Sequence, residues 1–233
     1  MRIAITYDNK GEAGFKTGWG FSCIVENQNK ILFDTGCNGI ELIYNLKKFG
    51  YSPKDFDILF LSHDHWDHMG GLFEILEANN NLKVFALESF SSHLKDEIRK
   101  RAKLIEVKNE QKVLENVYTT GIIKNNPDEQ SLVIKTEKGL AIITGCAHPG
   151  IVNIIKKAKE LAKENVYLVL GGFHLFGADD AEIEKIIGSF RDLKVEKVAP
   201  CHCTGDKAIS LFEKEYKDDF LKTGVGKISE TEL

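Results

Sequence analysis

Leu61-Ser62-His63-Asp64-His65-Trp66-Asp67-His68-Met69-Gly70-Gly71 is the stretch on which the reading of this chain turns. Within six positions it sets four side chains able to bind a metal, His63, His65, Asp67 and His68, and two glycines follow. The apolar run Asp57-Ile58-Leu59-Phe60-Leu61 before it reads as a buried strand, so the array falls in a loop at a strand end, where catalytic groups commonly lie. Imidazole and carboxylate together suit zinc, manganese or iron. His63 and His65, two apart in an extended segment, can face one side, while Asp67 and His68, adjacent in a turn, can address a neighbouring position. Two metal positions follow from that spacing. The bland alternative, a polar loop without metal, is disfavoured by the density of ligand types.

The rest of the chain is that of an ordinary globular protein. At 233 residues, 42% hydrophobic and 28% charged, it can bury a large core, and no linker, low-complexity tract or short repeat divides it. A single domain over residues 1–233 is expected. Thirty-one basic and 35 acidic residues, mixed along the chain, leave a formal charge of −4, which builds no field for nucleic acid and disfavours a nuclease. The first residues match neither a secretory signal nor a transit peptide, and no apolar run approaches the ~20 residues that span a bilayer. A cytoplasmic protein without membrane or nucleic-acid partners is the expectation. Five cysteines, an odd number in such a chain, argue for reduced thiols, with Cys23 and Cys37 read as small core residues.

Extended segments at 2–7, 21–26 and 30–34 form an N-terminal hairpin region, with Asn27-Gln28-Asn29 as a turn. Ile40, Ile43, Leu46 and Phe49 mark a helix, and Gly70-Gly71 opens another carrying Leu72, Ile75 and Leu76. Strands are expected near 83–87, 104–107, 113–119, 131–136 and 140–144, with a helix near 90–101. Two amphipathic helices follow, marked by Ile151, Ile154, Ile155, Ala158 and Leu161 and by Ile183, Ile186, Ile187, Phe190 and Leu193, beside strands at 166–170 and 197–200. Four of these strands run into a histidine: His63, His148 after Cys146-Ala147, His174 after Gly171-Gly172-Phe173, and His202 between Cys201 and Cys203. Delivery of ligands from several strand ends to one sheet edge is how α/β proteins generally position chemistry.

These residues resemble the metallo-β-lactamase superfamily, along the whole chain. Leu32-Phe33-Asp34-Thr35-Gly36 is similar to its first motif, residues 63–68 to its second, Thr144-Gly145-Cys146-Ala147-His148 to a middle motif, and His202 to its last histidine. Gly145-Cys146-Ala147-His148-Pro149-Gly150-Ile151-Val152-Asn153, Gly171-Gly172-Phe173-His174-Leu175 and Cys201-His202-Cys203-Thr204-Gly205 resemble a narrower group. That group contains dihydropterin ribofuranosylaminobenzene phosphate synthases and proteins described only as metal-dependent hydrolases. The resemblance implies an α/β, four-layer αββα sandwich. It also implies two divalent metals, with zinc expected and manganese, iron or magnesium as alternatives: His63, His65 and His148 on the first, and Asp67, His68 and His202 on the second, sharing a water. One departure stands out. Common hydrolases of the superfamily place a metal-bridging aspartate where this chain has Cys146, so either Cys146 takes part or water alone bridges.

Each remaining candidate has two readings. Asp64 is a carboxylate supporting a ligand ring or a solvated loop charge; Asp34 orders the histidine loop by accepting hydrogen bonds. Cys146 is a metal contact or a small buried residue, and Cys201 and Cys203 are packing or supporting groups, since Cys-x-Cys alone lacks closed zinc-site spacing. His174 binds a substrate phosphate or donates a proton, against a glycine pair that merely makes a tight turn. With Asp67 it is the catalytic candidate. His93 reads as a helix-surface residue. Thr204-Gly205 caps a helix or presents amides to an anion. The leading functional expectation is a hydrolase in which metal-activated water attacks an ester or phosphate-bearing small molecule. The resemblance also implies a synthase joining a dihydropterin methyl diphosphate to an aminobenzene amine with loss of diphosphate. A redox or electron-transfer metal protein is the alternative of another class.

Overall fold

A computed structural model describes residues 1–26 and 29–230, so the turn expected at Asn27-Gln28-Asn29 lies, in its first two positions, outside the described residues. The chain divides into two compact units, Met1–Lys108 with the stretch from Thr223, and Asn109–Lys222. Among the described residues no helix is long and apolar enough to cross a membrane.

The first unit runs β1 (Arg2–Tyr7), β2 (Ser22–Glu26), β3 (Lys30–Phe33), α1 (Gly39–Lys48), β4 (Ile58–Phe60), α2 (Trp66–Met69), α3 (Leu72–Ala78), β5 (Lys83–Leu87), α4 (Ser92–Arg99) and β6 (Lys103–Val107). The second holds β7 (Gln111–Leu114), β8 (Val117–Thr119), β9 (Leu132–Thr136), β10 (Gly139–Thr144), α5 (Ile151–Ala162), β11 (Val166–Gly172), α6 (Asp180–Asp192), β12 (Lys197–Cys201) and α7 (Asp206–Tyr216). A last strand, β13 (Ile228–Glu230), returns to pair antiparallel with β1. The strand orders are β13-β1-β2-β3-β4-β5-β6 and β12-β11-β10-β9-β8-β7.

Both sheets change from antiparallel to parallel at the point where helices begin to alternate with strands. In the first unit β3, β4, β5 and β6 are parallel neighbours. In the second, β10, β11 and β12 are. Parallel neighbours need a crossover, and the amphipathic helices supply it: α1 between β3 and β4, α5 between β10 and β11, and α6 between β11 and β12. Loops that follow the carboxyl ends of such strands gather along one edge of each sheet, which is where α/β folds place ligands.

Aromatic packing holds each edge rigid. Phe33, Phe60 and Phe85 lie in register across β3, β4 and β5, with ring centroids 5.4 and 6.4 Å apart. All three are buried. In the second unit Phe173, Phe190 and Phe212 form a triad with centroid separations of 5.2–5.5 Å, fastening the end of β11 to α6 and α7. Such contacts add about 0.5–1.5 kcal/mol per pair beyond burial.

The structure departs from sequence expectation in local places. The strand expected at 113–119 is a tight β7–β8 hairpin, turned at Asn116, whose φ is 61°. The turn expected around Asp67 and His68 is the one-turn helix α2, with His65 at its N-cap position. Helix α6, by contrast, starts at Asp180 in agreement with its apolar spacing, capped by the Asp179 side chain, which accepts the Glu182 amide hydrogen at 2.8 Å.

Candidate metal centre

In the first unit the histidine array follows β4, and Asp34, immediately after β3, organises it. Asp34 is fully buried, with φ of 51°, a left-handed conformation that costs a non-glycine residue free energy. Its Oδ1 accepts the Ser62 amide at 2.7 Å, and its Oδ2 accepts the Ser62 hydroxyl at 2.6 Å and contacts His68 Nδ1 at 2.7 Å. Since the Ser62 proton is committed to Asp34, the 2.9 Å contact between Ser62 Oγ and His63 Nδ1 is one in which the ring N–H donates. Both buried rings thereby carry their proton on Nδ1 and present Nε2 as the lone-pair atom.

That arrangement fits a divalent metal. His68 Nε2 lies 3.8 Å from Asp67 Oδ2, near the ~3.4 Å expected between two ligands on a tetrahedral ion with bonds of ~2.1 Å. The His63 ring packs 4.2 Å from that of His68 and 4.8 Å from that of His65, centroid to centroid. His63, Asp67 and His68 are buried, and His65 is half-buried. Asp64 is exposed, which places it with the solvated loop charges. Gly20 secures the array from outside: a Cβ there would sit 2.3 Å from the Asp67 carbonyl oxygen, so only glycine admits the contact.

The second unit carries Cys146, His148, His174, His202 and Cys203 at the ends of β10, β11 and β12. Glu129, fully buried ahead of β9, shapes the loop after β10. Its Oε1 accepts the Thr144 hydroxyl and the amides of Gly145, Cys146 and Ala147, at 2.9–3.1 Å, and its Oε2 accepts the His148 amide at 2.8 Å. Five donors on one carboxylate offset the desolvation of its charge. Ala147, His174 and His202 all have positive φ, at 61°, 55° and 49°, so each strand-end loop is held in a strained conformation, as Asp34 is.

The His148 and His174 rings lie 4.4 Å apart, centroid to centroid. His174 is exposed, and contact with Cys203 raises its pKa against the opposing effect of burial. Burial disfavours a thiolate at Cys203, yet contacts with Cys146 and His174 and the charge of His202 hold its pKa well below the usual thiol value. Gly172 makes room for that sulfur, since a Cβ there would lie 2.6 Å from Cys203 Sγ and 2.5 Å from the Gly145 carbonyl oxygen. Thr204 Oγ1 accepts the Phe173 amide at 3.0 Å, tying the ends of β11 and β12, while Gly205 takes the N-cap position of α7 without a side-chain cap.

The sequence profile of the metallo-β-lactamase superfamily matches residues 22–155. A 7,8-dihydropterin-6-methyl-4-(β-D-ribofuranosyl)-aminobenzene-5'-phosphate synthase from Methanocaldococcus jannaschii is 35% identical over 260 aligned residues, covering 90% of this chain and 88% of that protein. The chain belongs to the metallo-β-lactamase superfamily. A second, uncharacterized protein of the same organism is 31% identical, covering 97% of this chain and 98% of its own length. A crystal structure described as a metal-dependent hydrolase of the β-lactamase superfamily superposes with a TM-score of 0.83 at 32% identity, covering 99% of each chain. The metallo-β-lactamase fold is thereby established for this α/β protein.

Two supports of the superfamily motifs escaped the sequence reading. Ser62 relays between Asp34 and His63, and Glu129 gathers the loop of the middle motif. Ser62 adjoins the array, so its position was the available signal; Glu129 sits in the polar run Asn125-Asn126-Pro127-Asp128-Glu129-Gln130-Ser131 and carries none. Of the cysteines read as packing residues, Cys23 is buried in the core. Cys37 is half-buried instead, with its sulfur 3.0 Å from the Tyr7 hydroxyl. His93 is exposed on α4.

Proposed function

We propose that this chain is a metal-dependent hydrolase of an ester or phosphate-bearing small molecule. His63, His65 and His148 are assigned to one divalent ion and Asp67, His68 and His202 to a second, with zinc as the expected metal. The observation that carries this reading is the hydrogen-bonded set of Asp34, Ser62, His63 and His68, which holds two buried imidazoles with Nε2 as the lone-pair atom, with Asp67 beside one of them. Superfamily membership supports the rest of the ligand set. Its profile match runs across residue 108, which favours treating residues 1–233 as one functional domain.

When bound, two such ions lower the pKa of a water and polarise phosphoryl oxygens. The protein residues then have separable tasks. Asp34 and Ser62 hold the His63 and His68 rings at a set tautomer, Asp67 would hold the metal beside the reacting atoms, and His174 is assigned to the substrate phosphate. Burial of His63, Asp67 and His68 lowers the local dielectric and so strengthens their interactions.

A second reading, a synthase forming a C–N bond with release of diphosphate, is favoured by the 35% identity to the Methanocaldococcus enzyme. The two differ in what attacks. Metal-reconstituted protein assayed in parallel on phosphodiesters, carboxyl esters and a pterin diphosphate with its amine acceptor separates them. Hydrolysis of a phosphodiester or a carboxyl ester, abolished by chelation and by Asp67→Ala, is expected; turnover of the pterin pair alone would establish the synthase. Activity indifferent to chelation and to Asp67→Ala would overturn both.

A further inference from the structure

The two tryptophans of the chain, Trp19 and Trp66, flank one backbone contact of the histidine array, and both stand exposed, at 43% and 64%. The Phe21 amide donates to the Asp67 carbonyl oxygen at 3.3 Å, and Gly20 lies against the same oxygen, so the loop bearing Trp19 is fastened next to Trp66, the first residue of α2. The glycines on either side of Trp19 hold it there. A Cβ at Gly18 would fall 2.3 Å from the hydroxyl oxygen of the buried Tyr7, and Gly20 takes a φ of 143° with its amide donating to Asn9 Oδ1 at 3.3 Å. The backbone is thus pinned on both sides of an indole left in water. On α2 the outcome is similar: Asp67 and His68 turn inward and are buried, which leaves Trp66 outward beside the half-buried His65.

The other exposed aromatic residues of the first unit already serve their own surface. Lys16 lies over Tyr44, 5.6 Å from the ring centroid, and Arg101 over Phe73 at 5.3 Å. No cation covers Trp66 among the described residues. An indole in water gains by being covered, and it covers a flat partner at low conformational cost, since it has only two side-chain torsions to fix. We propose that Trp19 and Trp66 are specificity-determining residues that select substrates carrying a flat aromatic ring, stacking that ring beside the metal assigned to the histidine and aspartate set. The substrate class narrows accordingly, from esters and phosphates in general to those borne by a ring system. This deepens the proposed function and rests on it for the position of the reacting group, whereas the stacking does not.

Because these are the chain's two tryptophans, its own fluorescence is the direct probe. Zinc-reconstituted protein is titrated with adenosine 5'-phosphate, with 6-carboxypterin and, as the ring-free control, with ribose 5-phosphate. Saturable quenching by a ring-bearing probe and none by ribose 5-phosphate is expected. Trp66→Ala should weaken binding of that probe about fivefold or more, as loss of a stacking partner does, while Trp66→Phe, which keeps a ring, should stay within about twofold. Trp19 reports both variants, and Trp19→Ala, read by Trp66, should behave as Trp66→Ala does. Quenching by neither ring-bearing probe, equal quenching by ribose 5-phosphate, or unchanged affinity in either alanine variant overturns the assignment. The two readings fail separately: activity indifferent to chelation with quenching intact fails the metal mechanism, whereas zinc-dependent hydrolysis without quenching fails the tryptophan pair.

Discussion

At Asp34 a single carboxylate decides how the histidine array is presented. It accepts from the Ser62 amide, the Ser62 hydroxyl and His68 Nδ1, all in a fully buried place. Asp34→Asn turns one acceptor oxygen into an NH2 group facing donors. Loss of such a supporting partner typically lowers metal affinity by about 10–100-fold, and a stranded buried donor costs about 1–3 kcal/mol. Competition with a chelator of known affinity should show that drop, and wild-type affinity in the variant would refute the role given to Asp34. Glu129 acts the same way on the loop after β10, but its five partners are mostly backbone amides, so its effect is on shape. Neither role is written in residue type. Asp34 was legible because it closes an apolar strand before Thr35-Gly36, whereas Glu129 sits among polar turn residues where a carboxylate is unremarked.

At the scale of elements, the strand ends are only as rigid as what lies beneath them. Phe173 precedes His174 and packs with Phe190 of α6 and Phe212 of α7, all buried. Phe173→Ala leaves a cavity at that junction and should cost about 3–5 kcal/mol, as large-to-small core substitutions do. Chemical denaturation followed by circular dichroism reads this; a loss below about 1 kcal/mol would show that the triad does not support the β11 end. Elements of this kind were the most legible part of the chain, since α5 and α6 show apolar residues at helical spacing and β10 and β11 are continuous apolar runs. The one-turn helix α2 was not, because four residues carry no periodicity. The hairpin of β7 and β8 was read as one strand for a related reason: its turn is a short Glu115-Asn116 step inside an otherwise strand-like run.

For the molecule as a whole, metal binding and stability are linked. An ion that binds the native chain alone adds about 2.7 kcal/mol per site at a hundredfold excess over its Kd. In a chain of this length each kcal/mol moves the melting midpoint by about 2–4 °C. Zinc reconstitution should therefore raise Tm by roughly 5–10 °C for each tight site, and a chelator should reverse the rise. A midpoint unmoved by zinc would count against the proposed ligand set, whatever the activity assays find.

The sequence by itself determined the superfamily, the alternation of strands and helices and the histidine-bearing loops at the strand ends, because periodicity, glycine pairs and dense histidine spacing are local properties of a chain. Tertiary structure decided which side chains meet. Only folding sets the Asp34 carboxylate against Ser62 and His68, gathers five donors on Glu129, and brings Cys146, His174 and Cys203 within 4.8 Å. Such pairings join residues about 15 to 60 positions apart, and they depend on sheet register and side-chain burial rather than on any pattern along the chain.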